Sequence, residues 1–124
     1  MSQSTPERAK ALVEYVTAGR ILDAMQEFYA PDVVMQDNNN PPCVGKDANI
    51  EREKGFLAYV KEIHQNVATT VVASGDEAAI HYILDFTAVD GKRMRLDQVA
   101  LQTWKDGYIV RERFLYDSAS AVQV

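Results

Sequence analysis

Apolar residues recur every three or four positions through the first half of the chain and alternate with polar ones through the second, so the sequence predicts helices followed by strands. Thr5-Pro6-Glu7 opens the first helix with a hydroxyl to cap free N–H groups, a proline where no N–H is needed, and an acid at the positive dipole end. Ala9, Leu12, Val13 and Val16 continue it at helical spacing and Gly19 closes it. Ile21, Leu22, Met25, Phe28 and Tyr29 predict a second short helix ending before Pro31. A short strand over Val33 to Gln36 leads into a loop from Asp37 to Gly45, rich in asparagine and proline. Asp47 then caps a third helix expected to run to about Gln65, with Ile50, Leu57, Val60 and His64 along one side.

Beyond about Val67, β-branched and aromatic residues dominate, and Gly75-Asp76, Asp90-Gly91 and Asp106-Gly107 read as hairpin turns. They delimit four antiparallel strands at about 67–74, 77–89, 92–105 and 108–116. Helices followed by a meander make an α+β fold, and strands this long predict a sheet that curls. If Asp90-Gly91 forms a two-residue loop, His81 faces Ala100, Ile83 faces Gln98 and Asp85 faces Leu96. If Lys105-Asp106-Gly107 forms a three-residue loop, Gln98, Ala100 and Gln102 share a face with Val110, Glu112, Phe114 and Tyr116. The opposite face then carries Ile80, Tyr82, Leu84, Phe86, Val99, Leu101 and Leu115 among arginines and Asp97. Three helices cover one side of such a sheet, which leaves the other for a second copy of the chain and predicts a homodimer through the outer sheet face.

Composition narrows the partners. A chain of 124 residues, 47% hydrophobic and 25% charged, is an ordinary single domain able to bury roughly two thirds of its unfolded surface without disulfides or a structural metal. Cys43 is the only cysteine, which points to a reducing, cytoplasmic setting. A net charge of −5 disfavours nucleic acid as a partner. No apolar run approaches the ~18 residues needed to span a bilayer, so no membrane partner is expected. The two histidines, His64 and His81, lack metal-ligand spacing, and the chain has no phosphate loop, dinucleotide fingerprint or nucleophile elbow. Neither a metal nor a cofactor is expected.

Two carboxylates stand out. Glu112 sits on a face with aromatic and glutamine neighbours, where an unpaired charge costs several kcal/mol. It is either functional, or satisfied structurally by an arginine or the glutamines, or placed at the wet rim of the sheet. Asp37 ends the first strand at a long loop, where it serves either as a base presented to a cavity or as the cap of the Asn-Pro turn. His81 and Asp85 share a strand face and are candidates to bind a polar group of a ligand.

With these residues the chain resembles the nuclear transport factor 2-like superfamily, in the branch of SnoaL-like polyketide cyclases and ketosteroid isomerases. The resemblance runs from about Leu12 to Asp117. It rests on Phe28-Tyr29-Ala30-Pro31-Asp32-Val33-Val34-Met35-Gln36-Asp37, on Val44-Gly45-Lys46-Asp47, and above all on the stretch from Trp104 through Glu112 to Asp117. It implies three helices on a strongly curved, mainly antiparallel sheet, forming a cone with an internal apolar pocket and often a dimer across the outer surface. The pocket lining it implies is His81, Ile83, Asp85, Gln98, Ala100, Gln102, Phe114 and Tyr116, with Asp37 and Glu112 as the catalytic pair and a small apolar or aromatic molecule as ligand. In ketosteroid isomerases the aspartate at the position of Asp37 is the general base, but the oxyanion-binding tyrosine falls on Leu12 and the third-strand acid, which SnoaL-like cyclases also use, falls on Ala100. Steroid isomerisation is therefore not expected. The chain reads as an isomerase, cyclase or lyase acting by acid/base chemistry on a carbonyl-bearing metabolite, or alternatively as a non-catalytic ligand-binding or interaction module.

Overall fold

A computed structural model describes residues 4–117 together with 122–123. Helix α1 spans Thr5–Thr17 and is capped by Ser4, one residue earlier than the sequence suggests. The Ser4 hydroxyl accepts from the Glu7 N–H and donates to the Glu7 carboxylate. Helix α2, Ile21–Phe28, runs directly into strand β1, Tyr29–Asp37. Pro31 is tolerated inside β1 because the register with its neighbour slips between Tyr29 and Val34, leaving the proline where no ladder bond is required. A two-residue strand β2, Cys43–Val44, turns back on β1 and precedes helix α3, Lys46–Tyr59.

The third helix is shorter than expected. From Val60 the backbone joins strand β3, Val60–Ser74, so His64 lies on a strand, with its Nε2 2.7 Å from the Thr87 hydroxyl. The apolar spacing over 60–65 fits a helix locally, but its backbone groups pair instead with β4, Glu77–Ala88, along which Val60 faces Ala88 and Ile63 faces Phe86. Three register shifts fit the 15 residues of β3 against the 12 of β4, and each one bends the sheet. Strands β5, Arg93–Lys105, and β6, Tyr108–Leu115, complete the meander, and β7, Val122–Gln123, pairs with β5 at Met94 and Arg95. The strand order is β2-β1-β6-β5-β4-β3, antiparallel except for β1 beside β6, and the sheet is not closed. The fold is α+β, as its sequence pattern predicts.

The helices lie on the inner face. Ala9, Leu12, Ala24, Met25 and Phe28 pack against Tyr29, Val33, Ile80, Tyr82, Ala100, Trp104 and Ile109 in one cluster. Phe28 meets Tyr15 and Trp104 edge-on at 5.3 and 6.3 Å, and Phe56 of α3 meets Phe86 at 5.5 Å. Burying a side chain such as Phe28 contributes about 1.5–3 kcal/mol.

One hairpin overturns an expected register. The β4–β5 connection has three residues, Val89-Asp90-Gly91, closed by Ala88 N–H to Lys92 O at 2.7 Å and Gly91 N–H to Ala88 O at 2.9 Å, with Gly91 left-handed at φ 88°. Tyr82 therefore faces Gln98, Ile80 faces Ala100, and His81 faces Val99. A shift of one residue moves every β4 side chain to the other face. Ile80, Tyr82 and Phe86 are thus inward and buried, whereas His81, Ile83 and Asp85 point outward.

The β5–β6 hairpin reaches the expected facing by another route. Its loop is the two residues Asp106-Gly107, both at positive φ (53° and 86°), and Val110 forms a bulge where the register slips between Thr103 and Trp104. The result sets Gln102 opposite Glu112 and Ala100 opposite Phe114.

Candidate functional site

Parallel pairing of β1 with β6 sets Met35 beside Glu112 and Asp37 beside Phe114, so both carboxylates lie on the inner side, one alternation apart on adjacent strands. Their backbones are about 8 Å apart by strand geometry.

Glu112 is 2% exposed, and each of its oxygens has a donor. The Tyr29 hydroxyl donates to Oε1, and Gln102 Nε2 donates to Oε2 at 2.7 Å. The Gln102 carbonyl in turn accepts from the Trp104 indole N–H at 3.1 Å. Burial pushes the Glu112 carboxyl up to about 7, against the pull of its two hydrogen bonds and with the added push of the Glu53 and Asp37 charges. The same burial, reinforced by Glu112, raises Tyr29 and Tyr82, so both phenols keep their protons at neutral pH.

Asp37 stands at the open end of β1 with its side chain 31% exposed. Its Oδ2 lies 3.4 Å from Arg52 Nη2 of α3 and 3.4 Å from the Tyr116 hydroxyl. Glu53, the neighbour of Arg52 on α3, is raised by burial and by the Asp37 charge, while Arg52 lowers it. Three carboxyl groups from three elements therefore act on one another across the same internal region.

Of the lining residues expected from the sequence, Gln98, Ala100, Gln102 and Phe114 lie on this inner face with Glu112, and Tyr116 reaches Asp37. His81, Ile83 and Asp85 do not. His81 bonds the Thr69 hydroxyl at 2.6 Å and Asp97 on the outer face, where Ile83 faces Asp97. Asp85 receives both Nε and Nη2 of Arg93 at 3.0 Å. The three-residue β4–β5 loop is the cause. Among the described residues no group of His, Cys, Asp and Glu is placed to hold a metal ion. No helix of the described residues is long and apolar enough to cross a membrane.

Sequence reasoning missed Tyr29, Glu53 and Tyr82. Tyr29 shares the alternation of Val33, Met35 and Asp37, and Glu53 lies on the stripe of Asn49, Ile50 and Phe56, so each had a readable signal. A two-residue β4–β5 loop, as expected from the sequence, would turn Tyr82 outward. Leu12 and Ala100, where the resemblance to ketosteroid isomerases would place oxyanion donors, are both fully in the core.

The model of the SnoaL-like domain family matches residues 9–112, most of the chain, from within α1 to Glu112. The chain belongs to the SnoaL-like family. This SnoaL-like domain is similar to a candidate SnoaL-like polyketide cyclase from Mesorhizobium loti, at 26% identity and a TM-score of 0.79 over 90% of this chain and 98% of that one. A protein with a cystatin-like fold from Xanthomonas campestris superposes with a TM-score of 0.82 at 20% identity, covering 98% and 96% of the two chains. A candidate isomerase from Rhodopseudomonas palustris does so with a TM-score of 0.75 at 15% identity, covering 98% and 96%. At those two identities the likeness concerns the fold alone. A search of curated proteins finds no match to the SnoaL-like domain's sequence.

Proposed function

We propose that this SnoaL-like domain is an isomerase- or cyclase-type enzyme that moves protons on a mostly apolar, carbonyl-bearing molecule held on the inner face of the sheet. The observation that carries this reading is the contrast between Asp37 and Glu112, which face the same interior from adjacent strands in opposite environments. Asp37 is part-exposed beside a guanidinium and a phenol. Glu112 is sealed among neutral donors and is about half protonated near neutral pH. Asp37 removes a proton from carbon next to the carbonyl, and the electron pair passes to the carbonyl oxygen as an enolate. Return of a proton at another carbon, from Asp37 or from the Glu112 side, completes an isomerisation, whereas attack of the enolate on a second carbonyl closes a ring. Both proton roles fall to side chains of this chain, so the reading calls for no cofactor.

The non-catalytic alternative draws on one specific observation: both Glu112 oxygens are already occupied, by Tyr29 and Gln102. In that case the polar groups only orient a ligand. Exchange of the α-hydrogens of β-tetralone in deuterium oxide, followed by proton NMR, separates the two. The catalytic reading expects exchange well above buffer with the wild-type chain and a loss on the order of a hundredfold in Asp37→Asn. Binding of β-tetralone without exchange, or equal exchange by Asp37→Asn, leaves the binding module as the function.

A further inference from the structure

Tyr82 is the buried polar side chain that the network around Glu112 does not use. It is 7% exposed, lies in the inner cluster and is close enough to Glu112 to feel its charge. Its hydroxyl has no hydrogen-bond partner among the described residues, unlike Tyr29, Gln102, Trp104 and Glu112. No side-chain polar atom that is fully sealed lacks a partner, so the Tyr82 hydroxyl keeps some accessible surface although its side chain is largely buried. Directly across the β4–β5 ladder stands Gln98, half-buried on the same face and also without a side-chain hydrogen bond among the described residues. Facing residues of an antiparallel pair have Cβ atoms about 5 Å apart, so the two side chains rise from the same place on the inner face.

The ladder also locates this pair relative to the base. Asp37, Phe114, Ala100 and Ile80 form one rung across β1, β6, β5 and β4, and Gln98 and Tyr82 stand one alternation along from it.

We propose that Tyr82, with Gln98 beside it, is the donor pair that receives the carbonyl oxygen of an apolar ligand on the inner face. This rests on the proposed function in that the ligand occupies the inner face and meets Asp37. A hydroxyl that no protein group engages, on a side chain otherwise buried in the inner cluster, is free to donate to a ligand acceptor in place of water. Both donors are neutral, and burial together with the Glu112 charge raises Tyr82, so its O–H is retained as charge builds on the oxygen. The pair thereby supplies the stabilisation that Leu12 and Ala100 cannot.

The test compares two probes of nearly the same shape, β-tetralone and tetralin, which differ in the carbonyl oxygen, by ligand-observed NMR titration of the full chain. The wild-type chain is expected to prefer β-tetralone by on the order of tenfold, the effect of one or two good hydrogen bonds. Tyr82→Phe and Gln98→Leu each reduce that preference severalfold while leaving tetralin affinity unchanged. Because the lost hydroxyl is unpaired, Tyr82→Phe melts no lower than the wild-type chain, so a folding defect is recognised separately. Equal affinity for the two probes in the wild-type chain, binding of neither, or an unchanged preference in Tyr82→Phe overturns the proposal. Asp37→Asn keeps the preference even where it abolishes exchange, so failure of the donor pair and failure of the base are read from different measurements.

Discussion

Replacing Glu112 by glutamine probes the interior most directly, because it removes the charge and keeps the shape. Folded, the carboxyl keeps its proton to about pH 7, whereas unfolded it loses it near its ordinary value of 4.5. The native state therefore binds the extra proton between those limits. Stability carried by this group is complete below about pH 4.5 and is lost as pH rises through about 7. The difference corresponds to about 3 kcal/mol. The amide introduced by Glu112→Gln has no proton to lose and stands in for the protonated acid, accepting from Gln102 Nε2 and donating to the Tyr29 oxygen. Urea unfolding of both chains, followed by the fluorescence of Trp104, the single and deeply buried tryptophan, measures the effect. Near pH 4.5 the two are expected to be similarly stable. Near pH 8 the variant is expected to be more stable by about 3 kcal/mol, roughly 10 °C in Tm for a chain of this length. A stability difference that is the same at both ends of this range would refute the reading of Glu112 as a buried acid.

Other outcomes follow from the outer face and the turns. Gly91→Ala meets no atom within 4 Å, so its entire cost is the φ of 88°, about 1–2 kcal/mol; it should lower Tm where Gly91→Asn lowers it less, and equal melting of all three argues against a left-handed residue there. The pairing of two copies across the outer face, where Leu101 is 42% and Val72 56% exposed, expects a dimer in sedimentation at micromolar concentration and a monomer for Leu101→Lys, and a wild-type monomer refutes it. Loss of β-tetralone exchange in Asp37→Asn should come with little change in Tm, since the groups nearest its Oδ2, Arg52 and Tyr116, both lie at 3.4 Å.

Much of the architecture follows from periods that the chain states locally. The spacing of Ala9, Leu12 and Val16, the alternation from Ala78 onward and the three glycine turns need no tertiary context to be read. The Gln102–Glu112 facing was legible too, although a two-residue turn with a bulge at Val110 achieves it rather than the three-residue loop assumed. Two different local geometries give the same alternation, so the face survives an error in the turn.

What the sequence by itself determined is therefore the order of the main elements and the α+β class, with Asp37 and Glu112 as candidates for the interior. Only the tertiary structure decided which side of β4 faces inward, where α3 ends, and which donors reach Glu112. The outward turn of His81 and inward turn of Tyr82 hang on one residue of loop length, because Asp90-Gly91 closes a hairpin either alone or with Val89. The end of α3 at Tyr59 is set by the ladder with β4, distant in sequence. Tyr29 meets Glu112 across 83 residues, a contact that no local period encodes and that exists because β1 pairs in parallel with β6.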